Sequence, residues 1–344
     1  MNKKRRKYLI WSLSILFFLM IVMGIWVYAK IFMPNIKTET ELFVKTGTEY
    51  EELLELFSEN AVLQDSLSFI YTAKLKRFGS RIMPGRYIVR KDMSNDDLIN
   101  MIRSGKQTPV KITFNNIRDI NTLAGRVSEQ IEADSTSLSN LLNDSDFIEA
   151  HGFSKETILA AFIPDTYEFY WNTSAKAFFN RMLKEYQRFW TEERLKKAEK
   201  LNLSQIEVSV LASIVQAEQS RHDDEKARIA GLYINRLERG MPLESDPTLI
   251  FAGGDFSVKR VLNKDKEIDS PYNTYLNVGL PPGPITMPDK ASLQAVLNYE
   301  KHDYIFMCAK EDFSGYHYFS KSLRKHNEYA RKYQRALNKL KVYR

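Results

Sequence analysis

The chain contains a single cysteine, Cys308, among its 344 residues. One thiol excludes an intramolecular disulfide and a multi-cysteine metal site, and its position excludes a lipid-modified cysteine near the N-terminus. Net charge is almost lacking over most of the length. The formal charge of +7 arises at the N-terminus, where residues 1–30 hold six of the 50 Lys and Arg and no acid, leaving 44 bases against 43 acids elsewhere. So balanced a chain has no nucleic-acid footprint. Long low-complexity linkers and internal repeats are also lacking.

From Tyr8 to Ala29 there is no charge at all, a run of 22 residues that is long enough to cross the hydrocarbon core of a bilayer. Lys3, Lys4, Arg5, Arg6 and Lys7 precede it, and such a cluster stays on the cytoplasmic side. A cleaved signal peptide would carry an apolar region of about 7–15 residues ending at a small-residue site, and Val27-Tyr28-Ala29 is a poor one. The expectation is a cytoplasmic tail at 1–7 and a retained single-pass anchor at 8–31 in the inner (cytoplasmic) membrane, with everything that follows outside the cytoplasm. The far end stays basic: Lys321 to Arg344 carries nine Lys or Arg against one Glu. It reads as a terminal helix with Tyr329, Tyr333, Ala336, Leu337 and Leu340 on one face, either solvated or close to anionic lipid or cell-wall polymer.

What the sequence does contain is an acid in an apolar pattern. In Ile206 to Arg221, Leu211, Val215 and Glu218 fall at i, i+4 and i+7, with Ile214 one turn before Glu218. Ser204 and Glu207 form an S-x-x-E capping box that starts this helix near Ser204. A carboxyl directed into an apolar face has two readings. One is a structural acid paired with a cation such as Arg228 or Arg236; the other is an acid whose pKa is raised by burial, able to give up a proton near neutral pH. A second helix is expected from about Asp224 to Arg239, with Ile229, Leu232, Tyr233 and Leu237 on one face and Gly240 as its stop. Irregular, Pro- and Gly-rich stretches follow: Ser245-Asp246-Pro247-Thr248, Ser270-Pro271-Tyr272-Asn273-Thr274-Tyr275, and Gly279-Leu280-Pro281-Pro282-Gly283-Pro284-Ile285. Proline fixes φ and biases its predecessor, so such loops hold their shape and can line a cleft.

These residues resemble the endolytic murein transglycosylase family, also called YceG-like. The matching elements are L-A-S-I-V-x-x-E at Leu211 to Glu218, I-N-R-L at Ile234 to Leu237, and the three loops above. Phe162 to Tyr167 resembles the family's P-D-T-Y segment, and Gly315 to Phe319 its G-x-H-x-F strand. Two positions depart from the pattern: an acid two residues before the catalytic Glu and a hydroxyl residue just after it are replaced here by Gln216 and Gln219. The first change leaves Glu218 as the only carboxylate of that segment. The second leaves Ser220 as the hydroxyl available to support it.

The resemblance implies cleavage of the β-1,4 bond between N-acetylmuramic acid and N-acetylglucosamine without added water, leaving a 1,6-anhydro ring. Glu218 would protonate the leaving oxygen and then, as a carboxylate, accept the proton of the sugar's C6 hydroxyl, so neither cofactor nor metal is expected. Glycosidases that use water or a covalent intermediate need two carboxylates, separated by roughly 5–5.5 Å or 6.5–9.5 Å. Asp246 is the candidate for a second one, and in Ser-Asp-Pro-Thr it reads equally as the organiser of an Asx turn. The resemblance also implies sugar contacts at Ser245, Asp246, Thr248, Tyr272, Asn273 and Tyr275, for which loop scaffolding is the competing role. Implied partners are nascent peptidoglycan strands, the membrane, and the penicillin-binding polymerases that extend those strands. A muramidase-type hydrolase and a non-catalytic wall-binding scaffold are the rival functions.

Between anchor and catalytic segment, strands are expected at Phe43 to Lys45 and Gly85 to Val89, and helices at Glu49 to Glu59 and Ser66 to Phe78. A further helix is capped by Ser94 and ends near Gly105. Gly85 to Gly105 resembles a LysM-like, glycan-binding module or a spacer. A strand from about Pro109 leads to helices at Asn121 to Ile131 and Ala175 to Lys200. The expected class is α+β: a LysM-like α+β module at 32–115, a mainly helical connection at 116–203, and a mixed α+β catalytic domain at 204–344.

Overall fold

The computed structural model describes residues 3–258 and 261–339, so Leu340 and the end of the basic tail lie outside the described residues. Helix α1, Lys3–Phe32, is long and apolar enough to cross a membrane; its apolar side chains are exposed almost throughout. The chain then divides into two compact units, one of residues 1–112, 130–133 and 168–174, the other of residues 113–129, 134–167 and 175–344. The architecture is mixed α+β.

In the first unit, β1 (Thr40–Val44), α2 (Tyr50–Glu59), α3 (Ser66–Leu75), β2 (Gly85–Val89) and α4 (Asn95–Ser104) follow α1. Strands β1 and β2 are antiparallel, in register from Thr40↔Val89 to Val44↔Gly85. Alternation puts Leu42, Val44, Tyr87 and Val89 on the buried face. There they pack with Leu53 and Phe57 of α2, Phe69 of α3 and Leu98, Ile99 and Ile102 of α4. A β–α–α–β arrangement thus runs from Thr40 to Val89, and the segment from Gly85 to Gly105 holds β2 and α4. Ser94 caps α4 in a reciprocal box with Asp97, and Gly105, at φ 67°, ends it.

The rest of the chain is mostly helical. β3 (Val110–Phe114) pairs with β4 (Asp165–Phe169), and α5 (Ile120–Ser128), α6 (Ser135–Asn143) and α7 (Ser145–Glu149) lie between them in sequence. The expected helix at 175–200 is two: α8 (Ala175–Phe189) and α9 (Glu192–Lys200), the second capped by Thr191. Next come α10 (Gln205–Glu218), α11 (Asp223–Glu238), α12 (Asp246–Gly253) and α13 (Lys290–Leu297). The antiparallel hairpin of β5 (Phe306–Ala309) and β6 (His317–Ser320) precedes α14 (Leu323–Lys339).

Helix α10 starts at Ser204 through the expected capping box with Glu207. Every residue from Val208 to Gln216 is buried, so the middle of α10 has no solvent face, and the helix packs against α11, α12 and α13. The Ser209 and Ser213 hydroxyls return to the carbonyls of Gln205 and Val210. Glu218 therefore does not sit midway along an apolar stripe; it is the last residue of a buried helix, where the helix meets the loops that follow α11.

Candidate active site

Glu218 is half-buried at the C-terminus of α10. Its Oε1 accepts two hydrogen bonds, from Ser245 Oγ at 2.6 Å and from Tyr233 OH at 2.7 Å. Among the described residues, Oε2 has no hydrogen-bond partner. Two hydroxyl donors occupy the lone pairs of one oxygen, so a proton on this carboxyl belongs on Oε2. Burial raises the pKa of Glu218 above the ordinary carboxyl value; the bonds from Ser245 and Tyr233 oppose that, the charge of Asp246 adds to it, and His317 acts against it, with burial prevailing. The C-terminal end of a helix also disfavours a carboxylate.

The cations expected as structural partners are engaged elsewhere. Arg228 Nε bonds Glu300 at 3.0 Å. The buried Arg236 bonds Glu244 Oε2 at 2.8 Å and the carbonyls of Ile305, Pro242 and Leu243. The paired-acid reading of Glu218 is overturned by these contacts. Ser220 is exposed, and the hydroxyls that support Glu218 come instead from α11 and from the residue before α12. Tyr233 sat on the expected core face of α11; the signal was its phenol, since a buried tyrosine hydroxyl needs a partner.

Ser245 is held from both sides. Its backbone N–H donates to Thr274 Oγ1 at 3.0 Å, and its carbonyl accepts from Thr248 Oγ1 at 2.7 Å. Thr248 and Thr274 share a further hydroxyl contact at 2.8 Å, and all three residues are buried. Glu244, immediately before, has φ 52°, a left-handed conformation uncommon for a residue with a side chain, and its N–H donates to the Thr274 carbonyl. Thr248 thus reaches Glu218 only through Ser245.

Asp246 opens α12, followed by proline. A carboxylate at a helix start is favourably placed. Its Oδ1 accepts from Tyr275 OH at 2.6 Å, and this charge, together with burial, raises the Tyr275 pKa far above its ordinary value, burial contributing most. The structure puts the Ser-Asp-Pro-Thr segment on a helix start where a loop and an Asx turn were expected. Asn273 is fully buried. Its Nδ2 donates to the carbonyls of Lys266 and Ile268, and its Oδ1 accepts from Tyr275 N, so its amide is occupied within its own loop. Tyr272 packs on Phe251, with ring centroids 4.7 Å apart, and its hydroxyl makes no hydrogen bond among the described residues.

The Pro-rich loop is tied to α10 where Ile285 N–H donates to Ser213 Oγ at 3.0 Å. A Cβ at Gly283 would lie 2.0 Å from the Glu156 carbonyl oxygen, which explains the glycine. Gln216 bonds Asn116 Oδ1 through Nε2 and accepts from Asp289 N–H at the start of α13. Gln219 is buried. It donates to Glu225 Oε2 at 2.6 Å and to the Gly315 carbonyl, and accepts from the N–H groups of Arg221 and His222. Glu225 also receives His317 through its ring Nδ1 and its backbone N–H. Burial pushes the Glu225 carboxyl up, but these donors outweigh it and hold its pKa low. The clamp of Gln219, Glu225 and His317 fixes the end of α10 against the start of β6. Periodicity could not find it, because His317 lies 92 residues from Glu225 in sequence.

The YceG-like family matches residues 42–332. The chain belongs to this family of proteins. It is 29% identical over 334 residues to the endolytic murein transglycosylase of Bacillus subtilis, covering 91% of each chain. It is 26% identical over 309 residues to the endolytic murein transglycosylase of Streptococcus pneumoniae strain D39, covering 80% of this chain and 55% of that one. A crystal structure of a putative YceG-like protein from Listeria monocytogenes superposes with a TM-score of 0.56 at 26% identity, over 84% of this chain and 98% of the other.

Proposed function

We propose that this chain is an endolytic lytic transglycosylase acting on peptidoglycan, with Glu218 as its single general acid and base. The observation that carries the reading is the asymmetry of one carboxyl group: Oε1 is saturated by Ser245 and Tyr233 while Oε2 is free. Burial keeps that group protonated to higher pH than an ordinary carboxyl. The curated relatives named endolytic murein transglycosylase support the substrate class.

The reaction balances on one residue. Oε2–H protonates the glycosidic oxygen between N-acetylmuramic acid and N-acetylglucosamine, and the C1–O bond breaks. The carboxylate then takes the proton of the muramic acid's C6 hydroxyl as O6 bonds to C1. The 1,6-anhydro ring closes, Glu218 is again protonated, and no water is consumed. Ser245 and Tyr233 keep their bonds to Oε1 throughout and stabilise the intervening carboxylate. Of the sugar contacts, Tyr272 offers a free hydroxyl. Thr248, Asn273 and Tyr275 are spent on the loop walls and shape the cleft.

The charge of Asp246, felt at Glu218, favours a second reading, a muramidase-type hydrolase in which Asp246 activates water. Both readings place the enzyme on α1 as an anchor, with its basic tail in the cytoplasm and its catalytic unit outside, working on nascent strands beside the polymerases that extend them. Glu218→Gln tests the role directly. The amide keeps both hydrogen bonds to Oε1 but has no proton to give, so release of glycan fragments falls by about 10²–10⁴-fold with glycan binding retained. Turnover near the wild-type rate would move the acid elsewhere.

A further inference from the structure

Helix α4 lines an open groove of about 950 Å³ in the first unit. Four cations line it: Arg81, Arg90, Arg103 and Lys106. Arg81 and Lys106 have no ion-pair or side-chain hydrogen-bond partner among the described residues. Arg103 is held in place without an acid, its guanidinium donating to Asn100 Oδ1 at 2.9 Å and to the Lys76 carbonyl. Two acids share the groove, and both are engaged. Asp97 accepts from the Ser94 hydroxyl and N–H, and Asp92 lies 3.4 Å from Arg90. Outside its first 30 residues the chain is nearly neutral, so this local excess of positive charge does not follow from composition.

One end of the groove is fixed to the end of α1. Asn95, in the first turn of α4, donates to the Lys30 carbonyl at 2.9 Å and accepts from the Asn35 amide. Asn35 N–H in turn donates to the carbonyl of Met93, which lines the groove. Ten residues of α4 span about 15 Å, and the headgroup layer of one leaflet is roughly 5–8 Å deep. With α1 across the bilayer, the Met93 end of the groove, tied to the residues that close α1, is the end held next to the headgroup layer. Flanks of a spanning helix on the outer side are ordinarily poor in Lys and Arg, and here they are gathered around a cavity with Met93, Met101 and Ile88 in its wall.

We propose that this groove binds the phosphate headgroup of a membrane lipid, and that it thereby fixes the height of the first unit on the bilayer. The inference rests on α1 being an anchor, as argued above. Two sources carry the required chemistry: an anionic phospholipid, and the pyrophosphate of the polyprenyl carrier on which a nascent glycan strand grows. Both present phosphate oxygens at the membrane surface to a fixed arginine and two free cations.

The test uses the full chain with ¹³C-labelled methionine methyls in neutral detergent. It is titrated separately with phosphatidylglycerol, polyprenyl pyrophosphate, inorganic pyrophosphate and phosphatidylcholine. Saturable shifts of the Met93 and Met101 methyls with either anionic lipid, and none of Met287, are expected; the lipid that binds more tightly identifies the source. In Arg81→Glu/Lys106→Glu the apparent affinity should fall about ten-fold or more, with cleavage of soluble glycan strands unchanged. The proposal is overturned by the absence of saturable shifts with both anionic lipids, by equal binding of phosphatidylcholine, or by an unaltered affinity in the double variant. Inorganic pyrophosphate binding as tightly as the lipids would overturn the membrane part. Failure of the enzyme reading shows separately, as wild-type protein that leaves soluble strands uncut.

Discussion

Ser245 Oγ lies 2.6 Å from Glu218 Oε1, joining residues 27 apart in sequence. The contact brings together the end of a buried helix and the start of another, and it assigns the two carboxyl oxygens different work. Ser245 is locked by Thr248 and Thr274, so its hydroxyl is aimed before substrate arrives. Pre-aimed donors of this kind need no reorganisation during the reaction.

Removing that donor should be felt in the pH profile. The Ser245 bond favours the ionised carboxyl, so Ser245→Ala raises the Glu218 pKa further. The high-pH limb of kcat/KM, where Glu218 loses its proton, should move to higher pH. The rate at the optimum should fall about 10- to 100-fold, the worth of a hydrogen bond to a charged group. A pH–rate profile of the purified variant against wild type measures both.

Asp246→Asn should move the same limb the other way. The negative charge of Asp246 raises the Glu218 pKa, so its neutralisation lowers that pKa and brings the limb to lower pH. The asparagine oxygen can still accept from Tyr275, and the start of α12 loses only a favourable charge of about 0.3–1 kcal/mol. Anhydro product should therefore persist, with a smaller loss than in Glu218→Gln. Product analysis by mass spectrometry alongside the profile settles the order of the two variants.

Stability carries its own signature of a buried acid. The folded pKa of Glu218 lies above its unfolded value, so the wild type loses stability as pH rises from the ordinary carboxyl range through the folded pKa. Glu218→Gln accepts the same two bonds without ionising. Its Tm should exceed that of the wild type at neutral pH, and the two should converge below about pH 4. Thermal unfolding followed by circular dichroism across this range provides the check; a variant less stable than wild type at every pH would contradict it.

Local signals carried far in this chain. The capping box at Ser204, the cap at Ser94, the glycine stop at Gly105 and the uncharged N-terminal run all have counterparts in the structure, because each depends on neighbours within a turn or on length alone. The acid at Glu218 stood out because an ionisable group breaks an apolar pattern. Its surroundings were less legible. Ser245 and Tyr233 meet it only through tertiary packing, and the Gln219, Glu225 and His317 clamp spans two elements remote in sequence. The pairing of β1 with β2 was not legible either, because the two strands meet only after two intervening helices. Asn273 and Thr248 have polar side chains suited to sugars, but their hydrogen bonds close on the protein itself.

The most direct measurement is digestion of purified glycan strands by the wild-type protein in ¹⁸O-labelled water, followed by mass analysis of the new muramic-acid ends. Intramolecular attack by the C6 hydroxyl predicts 1,6-anhydro ends free of label, with Glu218 alone supplying and recovering the proton. Reducing ends carrying ¹⁸O would contradict it and assign the water-activating step to a second carboxylate, with Asp246 first in line.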